Sequence, residues 1–264
     1  MAHRARAISA VLLALAVGAF TGEAPTVEVK GACADVFKAQ VCTWAKMKGK
    51  NLVEAGAVVP LASIENAPAD QPMAWPPVAA AEINMPTGAG AQGEFTQLTM
   101  FWEPGGHPPG AFMTPHFDFH FYTVGASERA AMDCSDLSKP ASLPAGYGLP
   151  DIPLPPDMAK MMGVPALIGI CVPQMGMHAL PTTEIERKDA FSGSMVIGYY
   201  KGKPIFIEPM VSKAMLMERK SFDLPIPEVP GLEGAQATRF HAEWDAKQQA
   251  YRFTFSEFTP PPAR

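Results

Sequence analysis

The chain has 264 residues, 48% hydrophobic and 18% charged, enough apolar material for a packed core and too much for a disordered chain. A net charge of −5 supplies neither the basic stripe that nucleic acid needs nor a cationic face for an anionic membrane, so both partners are disfavoured.

The N-terminus predicts export. His3, Arg4 and Arg6 form a basic start, and residues 7–20 follow without a charge. That run is short of the roughly 20 apolar residues a membrane-spanning helix needs. Small residues at Val17-Gly18-Ala19 complete the layout of a secretory signal peptide. Residues 1–24 are therefore expected to be removed, leaving a periplasmic or secreted protein with no stable membrane anchor.

Residues 25–62 read as an N-terminal helical segment. Within it, residues 32–50 place Val36, Phe37, Gln40, Val41 and Trp44 on one face, and Lys46, Lys48 and Lys50 crowd the end where cations suit the helix dipole. Four cysteines, Cys33, Cys42, Cys134 and Cys171, suit an oxidising compartment and allow three pairings. On a helix, Cys33 and Cys42 fall on opposite faces and should not pair with each other.

Residues 63–92 carry Pro68, Pro72, Pro76, Pro77 and Pro86, a composition that forbids regular helix or central strand and predicts a wrapping arm or a linker. From residue 93 to 264, short strand-like runs alternate with turns. Residues 95–102 and 116–124 are aromatic strands separated by Pro104-Gly105-Gly106. A Met-rich helical turn is expected over 157–162, strands over 166–172 and 175–180, and a hairpin at Lys201-Gly202-Lys203. Helical spacing over 209–220 precedes a closing hairpin of 237–244 and 250–258. The fold class is mainly β: an antiparallel β-sandwich or a small barrel, of which a cupin-like barrel is one form, with a few short helices and long Pro-rich loops.

Chemistry concentrates in Pro115-His116-Phe117-Asp118-Phe119-His120-Phe121-Tyr122. On a strand, alternate side chains share a face, so His116, Asp118 and His120 line one side and three phenylalanines the other. His178, in Met175-Gly176-Met177-His178, and Glu208, at the end of Ile205-Phe206-Ile207, can complete a site. Histidines with a carboxylate suit a divalent transition metal such as zinc, manganese or iron. His116, Asp118, His120 and His178 are the candidate metal ligands, with Glu208 as ligand or base and Asp118 also a candidate catalytic group. His107 can approach the mouth, although nothing in the sequence fixes it there.

Two narrower metal readings fit less well. His116-x-Asp118 followed by His178 and Arg187 imitates the two-histidine, one-carboxylate iron triad, but leaves His120 unassigned. Copper would draw on Met158, Met161, Met162, Met175 and Met177, yet 16 methionines spread along the chain look mainly like core filling. No Gly-x-Ser-x-Gly elbow, phosphate-binding glycine loop, His-Glu-x-x-His or dinucleotide fingerprint is present. The alternative to a metal-dependent enzyme on a small-molecule substrate is a non-enzymatic envelope module, with the His/Asp cluster as a polar core network.

Four ordered blocks, Pro115 to Tyr122, Met175 to His178, Ile197-Gly198-Tyr199-Tyr200-Lys201-Gly202 and Ile205 to Met210, resemble a little-characterised bacterial family. One of its members is a thermophile protein under sigma-E/anti-sigma-E control that forms a homo-oligomer. The resemblance covers about residues 93–258. It implies a shared β-rich domain, matching positions at His116, Asp118, His120, His178 and Glu208, a homo-oligomeric state and a stress-linked role. It supplies no activity. Members commonly carry tryptophan after the Met-Gly-x-His block, where this chain has Ala179.

Overall fold

A computed structural model describes residues 24–72, 74–88 and 95–259. The expected signal peptide, apart from residue 24, lies outside the described residues.

The described residues open with three antiparallel strands, β1 (Thr26–Val36), β2 (Ala39–Lys48) and β3 (Asn51–Pro60). This corrects the helix expected over 25–62. Phe37 and Lys38 both take positive φ, 44° and 76°, and make a two-residue hairpin turn without the usual glycine or asparagine. Val36, Val41, Thr43 and Trp44 then lie in strands, where β-branched and aromatic residues pack well. The same turn corrects the cysteine expectation. Cys33 and Cys42 face each other across the hairpin and are bonded, and Cys134 pairs with Cys171.

A short helix α1 (Leu61–Glu65) leads into the proline-rich arm, which contributes one edge strand, β4 (Ala81–Asn84). Trp102 Nε1 donates to Pro68 O at 2.7 Å and ties the arm down. Next come β5 (Gln97–Glu103), β6 (His116–Tyr122), α2 (Ala126–Ala130), β7 (Tyr147–Gly148), β8 (Ile152–Pro153), α3 (Pro156–Met162) and β9 (Ala166–Leu167). The strand expected over 166–172 stops at Leu167, because a tight turn over Ile168–Ile170 takes positive φ at Gly169 and Ile170. The chain continues through β10 (Met177–Pro181), α4 (Thr182–Glu186), β11 (Gly193–Tyr200) and β12 (Lys203–Ser212). The helix expected over 209–220 is only α5 (Lys213–Met217), since β12 runs on to pair with β6 as far as Ser212. β13 (Phe222–Pro225), β14 (Gln236–Asp245) and β15 (Ala250–Thr259) close the fold.

Two antiparallel sheets stack face to face. One has the order β1-β2-β3-β15-β14-β13, the other β4-β5-β6-β12-β11-β10-β7. Both keep open edges, so of the two expected architectures the fold is a β-sandwich and not a closed barrel. Phe119 meets Phe253, and Phe121 meets Phe255, each at 4.8 Å between ring centres. Each phenylalanine buried in this way contributes about 1.5–3 kcal/mol.

The outer face of the seven-stranded sheet is also buried. Phe112, Met132, Leu167, Ile170 and Phe191, all from outside the two large sheets, pack on Tyr122, Leu180, Val196, Phe206 and Met210 of the strands. Arg129 of α2 anchors this cover, donating to Gln97 Oε1 at 3.1 Å and pairing with Glu82. The Cys134–Cys171 disulfide staples two of its segments together. A third, apolar-lined layer over a sheet face is what allows polar side chains there to be enclosed.

Candidate metal centre

The alternation in β6 separates two environments. Phe117, Phe119 and Phe121 enter the sandwich core, while His116, Asp118 and His120 point beneath the cover. The histidine face is thus the outer face of the sheet, not the lining of a barrel. Its neighbours by register decide the partners. Ile207 pairs with Phe121 and Met210 with Asp118, which sets Glu208 opposite His120. His178 pairs with Gly198, itself paired with Phe206. The Phe206 ring lies across Gly198, where any Cβ would collide with it, and packs 4.6 Å from the His120 ring and 5.2 Å from that of His178.

The five expected residues therefore fall into two groups. His120, His178 and Glu208 converge in one, and His116 and Asp118 converge with His107 in the other. In each, three candidate donor atoms lie within 4.8 Å of one another. Both groups could hold a metal ion.

In the deep group, His120 Nε2 is 3.4 Å from His178 Nε2 and 3.4 Å from Glu208 Oε2. His120 and Glu208 are 1% exposed and His178 7%. The Ile170 carbonyl lies 2.9 Å from His178 Nδ1. A carbonyl only accepts, so Nδ1 carries the proton and the His178 Nε2 lone pair faces His120. This is the outer hydrogen bond that usually orients a ligating imidazole. Among the described residues, neither Glu208 oxygen nor His120 Nδ1 has a hydrogen-bond partner. Such isolation of a buried carboxylate is costly unless a proton or a cation answers it.

Electrostatics follow from the enclosure. Burial, reinforced by the nearby Asp118 charge, pushes the Glu208 carboxyl well above the usual range. Burial also holds His178 down at about 4, and burial with the neighbouring His178 holds His120 well below an ordinary imidazole. Both imidazoles are thus neutral, the form that binds metal.

In the outer group, His116 Nε2 is 3.2 Å from Asp118 Oδ1 and His107 Nε2 3.8 Å from Asp118 Oδ2. Burial would raise the Asp118 carboxyl, but His116 and His107 together hold it well below the carboxylate range. Burial likewise opposes charge on His107, yet its contact with Asp118 raises it to about 9. Glu103, paired with His116 by register, is raised to about 7 by burial and by repulsion from Asp118. His107 is fixed by a turn in which Gly106 takes φ 65° and any Cβ would strike the Phe112 carbonyl.

Sequence reasoning left His107 unplaced and did not single out Glu103. Glu103 shares a β5 face with Thr99 and Phe101, and pairing β5 with β6 is what exposes its role. Arg187 pairs with Glu184, and neither belongs to the two groups. The iron triad of His116, Asp118 and His178 is not assembled, because His178 belongs with His120 and Glu208. The soft donors for copper are also dispersed: Met177 lies in the sandwich core, on the opposite side of β10 from His178.

Comparison with protein-family models gives no match, and comparisons with curated proteins and with solved structures give none either.

Proposed function

We propose that this chain is an exported metalloprotein that holds a divalent transition-metal ion between His120, His178 and Glu208 and acts as a metal-dependent enzyme on a small substrate. The observation that carries the reading is the pair of 3.4 Å separations from His120 Nε2 to His178 Nε2 and to Glu208 Oε2. Donors bound at about 2.0–2.1 Å around a tetrahedral ion lie about 3.3–3.4 Å apart. Two imidazoles with one carboxylate suit zinc, manganese or iron by ligand type. Three protein ligands leave a fourth position for water or substrate, the pattern of catalytic rather than structural zinc sites. The ion would supply Lewis acidity there. Asp118, the next residue outward on the same face of β6, is the nearby carboxylate that His116 and His107 keep ionised.

Two disulfides support an oxidising, exported setting, and no helix among the described residues is long and apolar enough to cross a membrane. The homo-oligomeric state and stress-linked role implied by the family resemblance belong to the same proposal, and size-exclusion chromatography of the mature chain tests the first. Complete burial of all three donors favours a second reading, in which the ion staples the cover to the sheet without turnover.

Elemental analysis of the purified mature chain tests the proposal. Wild type should carry one more transition-metal ion per chain than His120→Ala. Absence of metal after supplementation overturns both readings. An ion whose removal melts the fold, on a chain that turns over no small hydrolysable substrate, supports the second.

A further inference from the structure

We propose that His107, His116 and Asp118 form a second divalent-metal site at the solvent edge of the same sheet face. The convergence of their donor atoms carries this inference. His116 Nδ1 lies 2.6 Å from Thr114 O, and His107 Nδ1 lies 2.9 Å from Pro108 O. Carbonyl oxygens only accept, so both Nδ1 atoms hold protons, and on each ring Nε2 is the nitrogen that faces the Asp118 carboxylate and can serve as a metal donor once it carries no proton. Two Nε2 atoms and a carboxylate oxygen therefore converge within 4.8 Å of one another, the donor set of a divalent-metal site.

The surroundings support this. His116 is fully buried and Asp118 is 5% exposed, yet His116 Nε2 and Asp118 Oδ1 have no hydrogen-bond partner among the described residues. Their 3.2 Å approach is thus close without being aligned as a hydrogen bond. Glu103, opposite His116, adds a half-buried carboxylate that makes no hydrogen bond or ion pair among the described residues. The His107 and His116 rings meet edge to face at 4.8 Å, and Phe112 and Phe191 wall the site. His107 keeps 33% of its side chain exposed, so an ion could enter here without disturbing the sheet. An ion with three protein donors at this edge would keep coordination positions for water.

The site goes beyond the deep one and does not depend on it being filled. The test is titration of the untagged, disulfide-intact, metal-stripped chain with Zn2+, counting bound ions per chain by equilibrium dialysis and elemental analysis. Two ions per wild-type chain are expected. Asp118→Asn and His107→Ala should each bind one, and His120→Ala should bind one as well. His107 lies in a loop, and circular dichroism confirms that its variant folds. Equal stoichiometry in wild type and His107→Ala overturns the second site. If that shared value is one and His120→Ala abolishes it, the deep site stands alone. If it is zero, both sites fall.

Discussion

His178 and Glu208 reach His120 from two different strands, one from β10 and one from β12, yet both bring a donor within 3.4 Å of the same nitrogen. Convergence from separate strands means that the site exists only in the folded sheet, so binding free energy adds to folding free energy. Glu208→Gln tests this with little change of shape. We expect the ion affinity of the deep site to fall at least about 100-fold, beyond the 10–100-fold cost of losing an outer partner. With ion at 100 times its Kd, wild type should gain about 2.7 kcal/mol. For a chain of this size that is roughly 5–11 °C in Tm, and calorimetry of Glu208→Gln should show most of the gain missing.

Protonation gives a second test. In the metal-free fold the two imidazoles of the deep group are neutral, His178 with a pKa near 4, while Glu208 is raised. An incoming ion therefore competes with a proton on Glu208, while His178 holds none to displace as long as the pH stays above about 5. The sign follows: uptake releases protons, so affinity weakens as pH falls. In His107→Ala, where only the deep site remains to fill, release should climb towards about one proton per ion as the pH falls through the raised Glu208 pKa. Calorimetric titration in buffers of different ionisation enthalpy reads this number. Release that persists in Glu208→Gln would sink the assignment.

Gly198 supports the centre without touching an ion. The Phe206 ring lies over it and against both His120 and His178, so a methyl group at 198 must push the ring into the imidazoles. Overpacking of this kind costs about 1–3 kcal/mol. Gly198→Ala should show that loss in denaturant unfolding together with weaker ion binding. Gly198→Ala with Phe206→Leu, which removes the obstructing ring, should recover part of the affinity.

The sequence made these residues visible to unequal degrees. The period of two in β6 is a local property, so the separation of His116, Asp118 and His120 from Phe117, Phe119 and Phe121 could be read directly. The hairpin at Lys201-Gly202 was legible for the same reason, since its turn residues are adjacent. The first hairpin was not, because Phe37 and Lys38 adopt left-handed backbone without a turn signature and the strands around them happen to show helical spacing. The split into two groups was hidden for another cause. It depends on β12 and β10 lying beyond β6 in a particular register, which no local pattern encodes. Hence Glu208 could be nominated but not paired with His120, and His107 needed the Gly106 turn to be placed.

The two disulfides offer the sharpest separation between scaffold and site. Cys171 directly follows Ile170, whose carbonyl accepts from His178 Nδ1, so the Cys134–Cys171 bond restrains the outer partner of a ligand. Cys33–Cys42 bridges a hairpin of the other sheet and touches neither group. Removing either bond should reduce stability, by about 2–5 kcal/mol for the longer Cys134–Cys171 loop and less for the short one. Only Cys134→Ser/Cys171→Ser should also weaken the deep site, by about 10–100-fold, because a freed Ile170 no longer fixes the imidazole. Chelator competition on both double variants decides the matter. Equal affinity in the two would mean that the cover does not position His178, and that the sheet alone builds the centre.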